Sequence, residues 1–428
     1  RCRQGGGSLL VTEIVMTSVG AEEMREPDVE EVMEVEPVSN PESSADTHGG
    51  STKDFEDEDV GVEALEEGVD RVEAEPKAKA KPAREYWVDH FRGFIMMYLV
   101  LSMYLPESFR EKFEFFLEHP SNSTRTTVMN AYDVGTPTFI FIMGLVMPLS
   151  YANRSKRDGK LKAIRHILIR YTILLAIGAV IIFLGGEFTK EKEGMTIVVW
   201  DVVPSLGLVG FIGLPAVLLF KNILVRAAFG LGLGLFYQIM LLNTYWKEYA
   251  IQSVHGGIFG TIFGFGCVIV LGTCFGELLL ANGVRRERDE KSPTPQLRHF
   301  SKNQCLIGAA IAGAVLFAVG IFLVLAFPTG WYPNKRQVTF SYILISTGAS
   351  ALMMFPFVYL ERLVSGHLLL LDSVGQSPFL VYMVAVIVEY VLDDILEIEF
   401  VWWSRILILT IVFGGAVLLD LSGKIFKI

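Results

Sequence analysis

Cysteine is scarce: the 428 residues hold four, Cys2, Cys267, Cys274 and Cys305. Two share one apolar run and a third opens another, so no disulfide framework is implied and buried, inert thiols are expected. Histidine is nearly as rare, at seven, and no His and Cys spacing suits a metal ion. The glycines at Gly230, Gly232 and Gly234 and from Gly256 to Gly266 are not a phosphate loop, because no strand-loop-helix with a following Lys-Ser/Thr holds them. They are expected to let helices approach closely. No basic face interleaved with aromatics occurs, which argues against a nucleic-acid partner. Alternating segments of roughly ten residues are missing too, which excludes a membrane β-barrel.

Long apolar runs are what the chain has in abundance. Hydrophobic residues make up 51% of it, the mean hydropathy is +0.43, and several runs approach the roughly 20 residues that cross a bilayer. Only helices or closed barrels satisfy their backbone polar groups in lipid. The expected fold class is therefore all-α, a polytopic helical membrane protein with about ten transmembrane helices. The spans are expected near 91–106, 135–152, 167–185, 198–219, 223–242, 257–281, 304–327, 338–360, 376–392 and 401–421. Asp201 and Pro204 interrupt the fourth. The apolar stretch Leu368 to Leu371 before the ninth would make an eleventh, short or re-entrant, segment.

Charge divides the chain. Most of the acid behind the net charge of -10 lies before residue 76, in a stretch rich in Glu, Asp, Ser and Gly without sustained periodicity. Such composition cannot bury enough apolar surface to fold. Residues 1–83 are expected to form a disordered acidic N-terminal region ending in a basic linker, and residues 84–428 a transmembrane domain. Lys and Arg gather in that linker (Lys77 to Arg84), after span two (Arg154 to Arg165), after span six (Arg285 to Lys302) and in the tail (Lys424, Lys427). An even number of spans puts all four clusters on one face, the cytoplasmic one by the positive-inside rule. Both termini are then cytoplasmic. The loop holding His119 is lumenal or extracellular, in a lysosomal or other endomembrane or in the plasma membrane.

The stretch from Trp87 to Gly144 concentrates ionisable residues at the mouths of two successive apolar runs, where each needs a partner, water or a ligand. Asp89, His90 and Arg92 open the first run, Asp133 opens the second, and His119 lies between. Histidine titrates near neutrality, so His119 suits a base or a transient acyl carrier; the plainer alternative is an exposed loop histidine. Asp133 would orient His119 or a substrate, cap the following helix, or both. Asp89 and Arg92 can pair on one helix face, anchoring the span or shaping a channel mouth. Arg170 and Asp201 lie inside apolar runs, and a mutual pair would offset their burial. Glu277 and Glu389 are expected to snorkel to the interface, His166 to join a basic surface, and His90 and His255 to sit at span mouths.

Asp89-His-Phe-Arg92-Gly93, Asp133 with Pro137, and Phe139-Ile-Phe141-Ile-Met143-Gly144 resemble signatures of the heparan-alpha-glucosaminide N-acetyltransferase family and its bacterial relatives, which are multi-span membrane acyltransferases. Weaker matches follow in the same order: Arg165 to Ile177, Gly256 to Thr261, Asn334-Lys335-Arg336 with Ser341-Tyr342, and Gly375-Gln376-Ser377-Pro378. The resemblance covers about residues 84 to 421. His119 departs from it in lacking a following Trp-Asn-Gly.

That resemblance implies transfer of an acetyl group from acetyl-CoA on the cytoplasmic side to an amino sugar or other glycan acceptor on the far side. It assigns catalysis to His119 and Asp133, contact with CoA to Asp89, Arg92, Arg170 and His166, and no metal. The implied partners are a sugar or amine acceptor and membrane lipid, without nucleic acid, and a homodimer is allowed. Two other readings stand beside it. One is a small-molecule transporter, which intramembrane charge would suit although no repeat of short broken segments is visible. The other is a catalytically inactive relative acting as a structural membrane protein.

The topology makes a direct prediction through two sequons, Asn122-Ser-Thr in the His119 loop and Asn153-Arg-Ser on the opposite side. In a glycosylating host the protein should show a glycosidase-sensitive mobility shift that Asn122→Gln abolishes and Asn153→Gln leaves intact. A shift that follows Asn153 instead would invert the orientation.

Overall fold

Backbone groups in lipid must bond within their own segment, and helices supply that here. The computed structural model describes residues 85–119, 129–184, 189–192, 195–198, 200–281, 301–327, 329–363, 368–392 and 402–423. Contacts divide the chain into Arg1–Lys77 and Ala78–Ile428, and every described residue belongs to the second unit. The acidic region and basic linker expected over 1–83, the Asn122 sequon and the basic loop from Arg285 lie outside the described residues.

The long helices are α1 (Tyr86–Tyr104), α2 (Gly135–Asp158), α3 (Lys160–Leu184), α4 (Val202–Leu219) and α5 (Ile223–Asn243). After the short α6 (Trp246–Gln252) come α7 (Gly257–Leu280), α8 (Lys302–Ala326) and α9 (Phe340–Leu363). The chain ends in α10 (Leu369–Gln376), α11 (Pro378–Tyr390) and α12 (Trp402–Leu421). Short helical turns over residues 107–117 link α1 towards α2. A small antiparallel hairpin that sequence reading did not anticipate, β1 (Thr189–Lys192) with β2 (Met195–Val198), joins α3 to α4 and pairs Thr189 with Val198.

Among the described residues eight helices are long and apolar enough to cross a membrane, or nine if the α10–α11 pair, bent by 83°, is one broken span. That bend is the form taken by the short segment expected around Leu368. α1 has 19 residues, but Asp89, His90 and Arg92 in its first turns keep it out of that count. Large apolar side chains such as Ile307, Phe322, Ile406 and Leu418 are exposed. A soluble protein rarely leaves such faces bare; in an integral membrane protein lipid covers them.

α2 is the central helix, buried from Gly135 to Leu145. Its closest neighbour is α7, and the pair can approach because three glycines face the crossing. A Cβ at Gly144 would strike the carbonyl of Ile269, one at Gly272 the carbonyl of Phe141, and one at Gly276 the carbonyl of Leu145. Backbone thus touches backbone, the packing that small residues allow between membrane helices.

Two expectations about charged side chains are corrected. Glu277 does not snorkel. It is buried, and its Oε2 accepts from Arg226 Nη1 at 2.8 Å. Arg226 itself is 1% exposed, with Nε and Nη2 donating to the Phe220 carbonyl at 3.0 and 2.6 Å. Pairing with full hydrogen bonding is what permits both charges to leave water. Asp201 does not pair with Arg170. It is exposed, and its carboxylate caps α4 by accepting from Val202 N–H at 2.6 Å, while Arg170 lies next to Tyr171, which packs on Gly210 well along α4. His90 is buried, with Nε2 3.0 Å from Asp372 Oδ1. Cys267, Cys274 and Cys305 are buried, as expected.

The glycine crossing can be tested against a glycine that faces open space. Gly272→Val should overpack α2 on α7 and lower thermal stability in detergent by about 1–3 kcal/mol or more. Gly232→Ala, with nothing within 4 Å of the added carbon, should be neutral or stabilising by about 0.5–1 kcal/mol. Equal effects at the two sites would remove the crossing from its central role.

Candidate active site

The head of α2 is built by a capping box. Asn130 and Asp133 are three apart, each side chain serving the other's backbone, and Asp133 Oδ2 accepts from Asn130 N–H at 3.0 Å. Pro137 fits the first turn of α2, where its missing N–H costs nothing. Asn130 Nδ2 also donates to the Glu118 carbonyl at 3.1 Å, and the Tyr98 hydroxyl donates to the Phe116 carbonyl. These bonds hold the chain just before His119 against α1 and α2.

His119 therefore meets Asp133. Its Nδ1 lies 2.6 Å from Asp133 Oδ1, so Nδ1–H donates to the carboxylate and Nε2 keeps the lone pair. Lys335 Nζ stands 3.0 Å from that Nε2 and 3.8 Å from Asp133 Oδ1. The His119 ring packs on Tyr132 at 4.6 Å between centroids. Asp133 is 2% exposed whereas the His119 side chain is 30% exposed, so the acid is sealed behind an accessible imidazole. The buried Tyr342 hydroxyl of α9 donates to the Asp133 carbonyl at 2.8 Å, tying a third helix to the site.

Lys335 owes its place to a folded connection between α8 and α9. Asn334 Oδ1 accepts from the N–H of Arg336 and of Gln337 at 2.8 and 3.2 Å. Buried Gln238 of α5 donates to the Gly330 carbonyl and accepts from Phe340 N–H, at 2.8 and 2.9 Å.

Two cavities flank α2. One of about 200 Å³ is lined by His119, Tyr132, His255, Lys335 and Tyr382. The other, of about 280 Å³, is lined by Asp89, Arg92, Arg154, His166 and Arg170. Phe139, Leu206 and Phe379 belong to both linings, so the two cavities share an apolar wall. In the second cavity Arg92 lies 3.6 Å from Asp89 and donates to the Gly375 carbonyl at 3.1 Å. Arg154 of α2 and Arg170 of α3 add cationic donors suited to an anionic ligand, and His166 of α3 lines the cavity beside them.

All six residues singled out in the sequence line one cavity or stand directly behind it: His119 and Asp133 at the first, Asp89, Arg92, His166 and Arg170 at the second. Sequence reasoning gave no site role to Lys335, Tyr132, Arg154 or Asn130, although Lys335 stood in a weak family match and Arg154 in a basic cluster, and left His255 undecided. Lys335 could have been found as a cation in a short connection between two apolar runs, and Asn130 from its capping-box spacing to Asp133.

Residues 84–310, more than half of the chain, match the family model described as heparan-alpha-glucosaminide N-acetyltransferase, catalytic. The match includes every residue named at both cavities except Lys335, Phe379 and Tyr382. No curated protein matches the chain.

The double duty of Asn130 can be separated by mutation. Asn130→Ala should lose cap and clamp together, lowering thermal stability by about 0.5–2 kcal/mol and raising protease cleavage near residues 114–119. Asn130→Asp should restore the cap and its stability but leave cleavage raised. Cleavage unchanged in both would mean the clamp does not hold His119.

Proposed function

The chain belongs to the heparan-alpha-glucosaminide N-acetyltransferase catalytic family, and from that membership we propose an acetyl-CoA-dependent transfer of an acetyl group to an amino sugar or other glycan acceptor across the membrane. The observation that carries the reading is the pair of cavities with a shared wall, one lined with cations and the other holding a His–Asp–Lys cluster. Acetyl-CoA is a donor with a phosphate-rich end and a long, flexible pantetheine arm ending in the thioester. Arg92, Arg154, His166 and Arg170 suit the phosphates. The apolar wall at Phe139, Leu206 and Phe379 suits the arm, whose thioester would reach the His119 cavity.

In the His119 cavity the acceptor nitrogen or oxygen attacks the thioester carbon. Asp133 holds the imidazole by Nδ1–H, which directs Nε2 to take the acceptor's proton. The Lys335 ammonium, 3.0 Å from Nε2, is placed to donate to the oxyanion as it forms. The carbon–sulfur bond then breaks, the His119 proton passes to the departing thiolate, and the acetylated acceptor and CoA remain. On the positive-inside reading of the Lys and Arg clusters, the cationic cavity would face the cytoplasm, where CoA is supplied, and His119 the lumenal or outer side. A histidine left in solvent with no cavity beneath it would have favoured an inactive relative; His119 instead lines one.

Purified protein should bind acetyl-CoA and transfer acetyl to glucosamine. His119→Ala should lower turnover by about 10²–10⁴-fold with acetyl-CoA binding retained, while a charge-removing pair, Arg92→Gln with Arg170→Gln, should weaken binding. Turnover indifferent to His119 would move the base elsewhere. Failure of the wild type to bind acetyl-CoA would overturn the acyltransferase reading.

A further inference from the structure

His255 has no part in the scheme above, yet it carries the strongest marks of constraint in the described residues. It has φ 55° and ψ 37°, the left-handed region that non-glycine residues seldom occupy. Gly256 and Gly257 follow at φ 70° and 63°, so three successive residues form a left-handed turn that ends at the head of α7. Among the described residues only one other non-glycine residue has positive φ, Val338 at 54°. The two strained segments are joined, because Gly256 N–H donates to the Arg336 carbonyl at 2.6 Å. The segment receiving that bond carries Lys335. Strain of this kind persists where the surrounding structure enforces it, and it gathers at functional sites.

The turn aims an imidazole into the His119 cavity. His255 is 4% exposed and lines that cavity. Its Nδ1 is buried with no hydrogen-bond partner among the described residues. Buried polar atoms are seldom left so, and one on a ring that lines a cavity points to a ligand there. Burial, then the nearby Lys335 and His119, pushes the imidazole well below its ordinary range. A neutral ring offers one donor and one acceptor, the pair that a hydroxyl group matches.

We infer that His255 is the acceptor-binding residue of this cavity, hydrogen-bonded to a ring hydroxyl of the sugar and fixing its orientation towards His119. This rests on the acyltransferase reading for the identity of the sugar as acceptor. The rest of the lining agrees with a sugar ring: the aromatic faces of Tyr132, Phe379 and Tyr382 suit its C–H face, while Lys335 and His119 occupy the reacting edge.

Direct binding to the purified full chain tests the proposal without requiring turnover. The probes are glucosamine and N-acetylglucosamine, which share the ring hydroxyls and differ at nitrogen, followed by calorimetry and saturation-transfer NMR. His255→Gly removes the imidazole at a backbone position that glycine adopts without strain, so the variant should fold at least as well as the wild type. Asn also tolerates this backbone region, and His255→Asn keeps a donor and an acceptor. His255→Gly should weaken both sugars about tenfold or more, His255→Asn should recover part of the loss, and acetyl-CoA affinity should not change.

Unchanged sugar affinity in His255→Gly would overturn the proposal, as would a loss confined to glucosamine, which would place His255 at the nitrogen. Wild type that binds acetyl-CoA but neither sugar would overturn it too while leaving the acyltransferase reading in place. Sugar binding that depends on His255 in a protein unable to bind acetyl-CoA would sustain the sugar site and remove the transferase.

Discussion

One carboxylate, that of Asp133, is the constraint on which the site depends. It is nearly sealed from solvent, and a carboxylate there persists only if its oxygens are met by donors. The donors come from places far apart in the chain: Asn130 N–H, His119 Nδ1–H and, more distantly, the Lys335 ammonium. Satisfying Asp133 therefore brings the loop after α1 and the connection before α9 to the head of α2. Tyr342 adds α9 itself through the Asp133 backbone carbonyl. What reads locally as a helix cap is the meeting point of the His119–Asp133–Lys335 cluster.

The membrane setting explains why the remaining charges are so closely managed. Arg226 and Glu277 hold one another and the Phe220 carbonyl inside the bundle, and His90 lies against Asp372. Such contacts offset desolvation more than they add stability. The cavities are the places where charge is gathered and left to face an open space. The two cavities are of unlike character, one lined by arginines and the other by His119 and Lys335 of the His–Asp–Lys cluster, with three apolar residues common to both.

The glycines act on position rather than chemistry. Gly144, Gly272 and Gly276 let the backbones of α2 and α7 touch. Gly256 and Gly257 let the backbone make the left-handed turn at His255. One kind of residue serves twice, first for close approach and then for positive φ.

Much of this was legible in the sequence because bilayer physics writes in local patterns. Apolar runs of spanning length, Lys and Arg clusters, and Asp or Arg at span mouths can be read in short windows, and the apolar runs marked the long helices; the family resemblance singled out the six residues now seen at or behind the two cavities. Asp133 as a cap and Asp89 with Arg92 as a pair are likewise contacts within a single turn. The rest depends on groups distant in the chain. Glu277 meets Arg226, and Asp201 caps its own helix rather than meeting Arg170, because helix order and tilt decide which charges share a level. Lys335 reaches His119 only once the connection before α9 has folded back over α2. The left-handed turn at His255 leaves no mark in composition or periodicity, since backbone strain is imposed by packing and exists only in the folded chain.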